Sequence, residues 1–111
     1  MVARYEDDLN REVQRILSVL KEHVRPEKVI LFGSLAWGNV RDDSDIDLLI
    51  IERSKDSVFE RIQKIENLLK RQCAADLIVL TPEEVKMMLE SGNPYLKEIL
   101  ERGKVLYERA A

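Results

Sequence analysis

The chain has few residues of the kinds that build disulfides, zinc centres or membrane spans. Its 111 residues include one cysteine, Cys73, and one histidine, His23. A lone cysteine cannot form an internal disulfide, and one histidine with one cysteine makes no case for zinc. No apolar run approaches the length of a membrane span, and the N-terminus lacks the apolar core of a signal peptide. We therefore expect a cytoplasmic protein with no membrane association.

An excess of positive charge is also missing. The chain carries 18 Lys and Arg against 21 Asp and Glu, which gives a net charge of −3 and a pI near 5.3. Bulk electrostatics therefore does not attract nucleic acid, and no basic patch stands out, so we expect no direct nucleic-acid binding. There is no repeat, low-complexity tract or linker. We predict one domain over residues 1–111, large enough to bury a core of its own.

The hydrophobic pattern predicts an α/β (α+β) domain, with a small mixed sheet of three to four strands flanked by four or five helices. A first amphipathic helix runs from Tyr5 to Val24 and is stopped by Pro26. Capping signals at Ser57 and Thr81 begin two further helices. The last helix extends to about residue 102, with Gly103 as its C′ residue. The predicted strands are 28–32, 45–51, 75–80 and 104–107.

The most informative segment joins the first two predicted strands. A Gly33-Ser34 turn ends the first strand, and Asp45 and Asp47 open the second. Alternate residues of a strand point to the same face, so these carboxylates stand side by side and repel each other unless a cation lies between them. A turn of small residues lets backbone N–H groups approach an anion. A cation site beside a turn that can bind a polyphosphate is the arrangement expected of an enzyme for phosphoryl or nucleotidyl transfer.

A third acidic residue, Asp76, opens the third predicted strand. If the second and third strands are neighbours, Asp76 can lie beside Asp45 and Asp47, and the three carboxylates could hold two magnesium ions. The structural alternative is that Asp45 only caps a strand and Asp76 lies in a solvated turn. A calcium loop starting at residue 43 is excluded, because Leu48 and Ser54 stand where such a loop needs glycine and glutamate.

Other polar and aromatic residues allow two interpretations each. The Ser34 hydroxyl and N–H could bind a terminal phosphate, or Ser34 could simply cap a short helix. Trp37 could stack on a base or anchor a partner protein, or it could fill a hydrophobic gap. Arg41 could reach a phosphate, although a solvated loop charge is the better expectation. We expect a structural role for His23 at a helix end and for Cys73 as a small buried hydrophobic residue.

Together these residues resemble the motif of a minimal nucleotidyltransferase of the DNA polymerase beta superfamily. The motif is Gly-Ser, ten intervening residues and Asp-x-Asp, followed by an acidic residue at the start of a later strand. The resemblance covers essentially the whole chain. The matching residues are Gly33, Ser34, Gly38, Ser44, Asp45, Asp47 and Asp76.

This resemblance implies the nucleotidyltransferase fold and a role for each motif residue. It implies that Gly33 and Ser34 hold the triphosphate of ATP, while Asp45 and Asp47 bind magnesium and align the α-phosphate. Asp76 would be a metal ligand or the general base that activates the attacking hydroxyl. Related sequences often carry arginine where this chain has Trp37, which puts full activity in question.

Short members of the superfamily resemble the antitoxin of toxin–antitoxin pairs whose toxin is a HEPN-domain ribonuclease. The resemblance implies transfer of AMP from ATP to a tyrosine of that toxin. Larger members carry a second domain that grips the base and the acceptor, so we expect half of the cleft to come from a partner. Two alternatives stay open: a binding module that neutralises its partner by contact, and a transferase acting on a small, aminoglycoside-like acceptor. A homo-oligomer is compatible with the sequence.

Overall fold

The computed structural model describes residues 2–70 and 75–110. Within these residues it contains five α-helices, one π-helical turn and four strands. Cys73, predicted to be a buried hydrophobic residue, lies outside the described residues. The helices are α1 (Val2–Val19), α2 (Gly33–Trp37), α3 (Val58–Leu69), α4 (Pro82–Glu90) and α5 (Pro94–Arg102), and the π-helical turn is Leu20–Val24. The strands are β1 (Lys28–Phe32), β2 (Ile46–Ile51), β3 (Ala75–Leu80) and β4 (Lys104–Glu108).

The four strands form one mixed sheet in the order β3-β2-β1-β4. β2 and β3 are parallel, whereas β1 is antiparallel to both β2 and β4. This confirms the predicted mixed sheet and places β2 in its interior, as its apolar residues on both faces indicated. β2 begins at Ile46, one residue later than predicted, so Asp45 immediately precedes the strand.

Helices cover both faces of the sheet, and each face has its own hydrophobic core. On one face α1 and α3 pack against alternate strand residues. The buried strand residues of this face are Val29, Leu31, Ile46, Leu48, Ile50 and Val79. On the other face α5 and α4 cover the remaining positions. The buried residues there are Ile30, Phe32, Leu49, Ile51, Leu96 and Ile99. No helix within residues 2–70 and 75–110 has both the length and the apolar character needed to cross a bilayer.

The first helix differs from the prediction at its C-terminal end. The predicted single helix is an α-helix to Val19 that widens into the π-helical turn, where the Arg25 N–H donates to the Leu20 carbonyl at 2.8 Å. Pro26 disfavours the right-handed helical conformation in the residue before it. Arg25 lies outside that conformation, in the left-handed region with φ of 54°, and the helix ends there.

The predicted caps are confirmed at α3 and α4 and wrong in one detail at α5. Ser57 and Thr81 each accept from the backbone N–H three residues later and form complete capping boxes. Gly103 follows α5 as predicted, but its φ of −71° and ψ of 159° are extended rather than left-handed. Glycine is needed there for space, because a Cβ atom would collide with the Ile30 side chain and the Ile99 carbonyl.

Candidate active site

The three predicted carboxylates share one face of the sheet. Asp47 and Asp76 are direct register partners on the parallel strands β2 and β3. Asp47 has the same parity as Leu49, so it lies on the face covered by α4 and α5. Asp45 stands two residues before Asp47, at the entrance to β2. The condition for the acidic cluster, that the second and third strands be neighbours, is thus confirmed.

The electrostatics of this cluster indicate unneutralised negative charge. Asp47 is partly buried, whereas Asp76 is exposed. Burial, the charges of Asp76 and Asp45, and a hydrogen bond with Asp76 together raise the pKa of Asp47 from 3.8 to about 6. Burial is the largest cause of the higher pKa, and repulsion between neighbouring carboxylates is the second. A bound cation would relieve the repulsion.

A cleft with a volume of about 450 Å³ opens at the acidic cluster. Its described lining is mostly polar and contains four aspartates and one arginine. The lining residues are Ser34, Trp37, Asn39, Arg41, Asp43, Ser44, Asp45, Asp47 and Asp76. A larger cavity, of about 580 Å³, lies near Glu27 and Ile51, at the opposite end of β1 and β2. None of the predicted site residues lines that cavity, so the smaller cleft is the candidate active site.

The donor set of the cleft suits magnesium, which prefers hard carboxylate oxygens and retains several waters. Asp45, Asp47 and Asp76 would supply these oxygens. Among the residues that the structure describes, no three His, Cys, Asp or Glu side chains are arranged as a group that could hold a metal ion by themselves. An open arrangement is compatible with an ion that shares its ligands with the phosphates of a substrate.

Gly33 lies at the point where the turn after β1 comes closest to the acidic cluster. It begins α2 directly after β1 and has a φ of 76°, a conformation that L side chains rarely adopt. A Cβ atom at this position would collide with the Asp47 carboxylate and would lie 3.0 Å from its Cγ. Glycine therefore lets the backbone of the turn approach Asp47 closely. The predicted short helix through residues 35–37 is confirmed as α2.

Ser44 holds the loop between α2 and β2, a role that its match to the motif does not predict. Its buried hydroxyl accepts from the Ser34 hydroxyl at 2.9 Å and from the Arg41 N–H at 2.8 Å. The Tyr5 hydroxyl donates to the Ser44 carbonyl at 2.5 Å. These bonds tie α1 and α2 to the residue that precedes Asp45, so Ser44 positions the acidic cluster.

The structure places the remaining candidates as follows. Trp37 donates its Nε1–H to the Arg102 carbonyl at 3.2 Å, and the Arg102 guanidinium lies 4.1 Å from the ring centroid. Through these contacts Trp37 packs against α5. Its side chain remains partly exposed and also lines the cleft. Arg41 is exposed and also lines the cleft. His23 lies in the π-helical turn, where it is half exposed and does not line the cleft.

A comparison with family models matches residues 14–111 to the family described as Polymerase beta, Nucleotidyltransferase. The chain belongs to this family. The matched range includes all five predicted site residues, which are Gly33, Ser34, Asp45, Asp47 and Asp76.

The chain is similar to proteins from Methanocaldococcus jannaschii and Sulfolobus solfataricus. A relative from Methanocaldococcus jannaschii, named “Putative protein adenylyltransferase”, is 32% identical over 100 residues, which cover 87% of this chain and 96% of the relative. A crystal structure described as a “putative nucleotidyltransferase” from Sulfolobus solfataricus has a TM-score of 0.68 at 21% identity. The superposition covers 97% of this chain and 87% of that one.

The fold also occurs in a toxin–antitoxin complex. A crystal structure of the toxin–antitoxin with AMP-PNP matches with a TM-score of 0.56 at 23% identity, over 86% of this chain and 73% of that one. At this level of identity the likeness establishes the fold alone. The predicted nucleotidyltransferase fold is confirmed.

Proposed function

We propose that the protein is a magnesium-dependent adenylyltransferase that transfers AMP from ATP to a protein hydroxyl. The observation that carries this proposal is the direct pairing of Asp47 with Asp76 across parallel strands, beside the Gly33 turn. The pairing brings two carboxylates together at one cleft, which Asp45 also lines. Membership of the nucleotidyltransferase family supports the same reaction class.

Each residue of the cleft has a defined task in this proposal. The backbone of Gly33 and Ser34 binds the terminal phosphates, and Asp45 and Asp47 would hold two magnesium ions. Magnesium, when bound, neutralises charge on the phosphates and on the leaving pyrophosphate. Asp76 accepts the proton of the acceptor hydroxyl while the oxygen of that hydroxyl forms a bond to the α-phosphorus. The bond between the α-phosphorus and the bridging oxygen breaks, and pyrophosphate leaves.

A protein acceptor fits the cleft better than a small molecule does. Small acceptors are usually enclosed by their binding pockets, whereas Asp76 is exposed here. The Methanocaldococcus jannaschii relative is named as a protein adenylyltransferase, and the fold is shared with a toxin–antitoxin complex bound to AMP-PNP. We propose that the acceptor is a tyrosine of a HEPN ribonuclease toxin, for which this protein acts as the antitoxin.

The test is a transfer assay with ATP labelled at the α-phosphate, magnesium and a HEPN protein encoded next to this chain. Label is expected on a tyrosine of the partner, identified by mass spectrometry as one or more added AMP units. The double variant Asp45→Asn with Asp47→Asn should abolish labelling, because amides cannot supply the anionic charge that magnesium requires. Asp42→Asn is the matched control, since Asp42 is exposed and does not line the cleft.

The outcomes separate the proposed reaction from its alternatives. Labelling that persists in the double variant would refute the assigned metal ligands. Toxin inhibition without any labelling, equal in wild type and in the double variant, would show a contact-only antitoxin. Transfer to an aminoglycoside but not to the protein would move the activity to small acceptors.

A further inference from the structure

The cleft has a shortage of positive charge for the substrate it is proposed to bind. Among its described lining residues, Asp43 joins the three acids of the cluster, and Arg41 is the single cation. A nucleoside triphosphate brings about four further negative charges near neutral pH, and two magnesium ions would balance only part of this total. A further cation next to the phosphate tail would therefore favour binding.

Arg102 is a cation held against Trp37, although Arg102 itself is not among the described residues that line the cleft. Its guanidinium lies 4.1 Å from the centroid of the Trp37 ring, and its Nη1 bonds to the Glu98 carboxylate at 3.0 Å. The Trp37 Nε1–H donates to the Arg102 carbonyl at 3.2 Å. Backbone and side chain of Arg102 are thus both attached to Trp37, which itself lines the cleft.

Trp37, to which Arg102 is attached, is close to Gly33 and Ser34, the residues predicted to bind the phosphates. Trp37 lies three residues after Ser34 in α2, a rise of about 4.5 Å along a helix. The Arg102 side chain remains about half exposed, so its donors are not all used by Glu98. A guanidinium presents five N–H donors in a planar fork that matches phosphate oxygens.

We propose that Arg102 binds the terminal phosphates of the nucleotide and that Trp37 is the positioning residue that holds it there. This inference rests on the proposed function, because it needs a triphosphate bound at Gly33 and Ser34. It gives the cleft a preference for a nucleotide with a full triphosphate tail over a nucleoside monophosphate. The alternative is that the contact between Arg102 and Trp37 only fastens α5 to α2.

Binding measurements on ligands that differ in their phosphate tail separate these two roles. Isothermal titration calorimetry with magnesium compares ATP, inorganic triphosphate and AMP on the wild type and on Arg102→Gln. We expect Arg102→Gln to weaken ATP and inorganic triphosphate about tenfold and to change AMP less than twofold. A purely structural fastening would either leave all three affinities unchanged or weaken them together.

Two further variants and a control complete the test. Trp37→Leu removes both contacts and should reproduce the Arg102→Gln pattern, while Trp37→Phe keeps a ring and should give an intermediate loss. Arg11→Gln is the matched control, because Arg11 is an exposed helical arginine paired with Asp8 at 3.1 Å and does not line the cleft. Circular dichroism checks that each variant is folded. If Trp37→Leu fails to fold, Arg102→Gln and Trp37→Phe decide the question.

The failure of this inference differs from the failure of the proposed function. Wild-type affinity for ATP and triphosphate in Arg102→Gln, or an equal loss for AMP, would overturn the role of Arg102 while leaving adenylyl transfer intact. A wild-type protein that binds neither ATP nor triphosphate in magnesium would overturn both.

Discussion

Replacing Asp47 by Asn should stabilise the metal-free protein while it destroys the proposed activity. Burial and the charges of Asp76 and Asp45 raise the pKa of Asp47 from 3.8 to about 6. A shift of this size corresponds to roughly 3 kcal/mol of unfavourable interaction when the carboxylate is ionised. Because Asp47 is only partly buried, water screens some of that cost. We expect Asp47→Asn to raise the free energy of unfolding by about 1–3 kcal/mol at pH 8.

The pH dependence of this gain has a definite sign. Between the unfolded pKa of 3.8 and the folded pKa of about 6, the folded wild type holds a proton on Asp47 that the unfolded chain releases. The contribution of Asp47 to stability therefore becomes less favourable as pH rises through this range. The advantage of the Asn variant should be full above pH 6 and should vanish below about pH 4.

The assay is urea unfolding of both proteins at pH 4, 6 and 8, first with EDTA and then with magnesium. Magnesium should raise the stability of the wild type more than that of the variant, because the ion binds the folded wild type through the carboxylate that the variant lacks. The variant Asp42→Asn, at an exposed position outside the cleft, should follow the wild type. A variant less stable than wild type at pH 8 in EDTA, or a gain that does not depend on pH, would refute the electrostatic reasoning.

Three further substitutions test other parts of the structure. Gly33→Ala should abolish ATP binding measured by calorimetry and cost more than about 1 kcal/mol in urea unfolding, because its Cβ would meet the Asp47 carboxylate at a positive φ. Glu84→Gln should cost about 2 kcal/mol at pH 7 in the same assay, because it leaves the buried Arg61 without its carboxylate partner at 2.7 Å. Arg61 and a Thr81 N–H lower the pKa of Glu84 to about 2, so this cost should shrink as pH falls from 4.5 towards 2. Gly103→Ala should lower the thermal midpoint through about 1–3 kcal/mol of overpacking against Ile30.

The parts of the fold that depend on local sequence signals could be predicted. Period-two alternation places Asp45 and Asp47 on one face, and the capping residues at Ser57 and Thr81 begin α3 and α4 where the signals indicated. The helix boundary near Pro26 was predicted, but its π-helical form was not. Hydrophobic periodicity at three and four residues does not distinguish the last turn of an α-helix from a wider turn.

The contacts that complete the site could not be predicted, because they join residues far apart in the chain. Tyr5 reaches Ser44 across 39 positions, and Trp37 reaches Arg102 across 65. Each partner looks ordinary in its own segment: a tyrosine on a helix, a serine in a loop, an arginine at a helix end. Such pairs acquire meaning only after the sheet order is known, which short-range patterns do not determine. The motif match at Ser44 was the one local signal available.

The position of Asp47 shows why the acidic cluster can persist despite its cost. The residues that follow it in β2 are buried on both faces, with Leu48 in one core and Leu49 in the other. Moving Asp47 out of the cleft by a one-residue slip of β2 would exchange these faces and disrupt both cores. The two hydrophobic cores thus hold the Asp47 carboxylate in place against repulsion from Asp76 and Asp45. A divalent cation bound between the carboxylates, as the proposed function requires, would relieve the same repulsion.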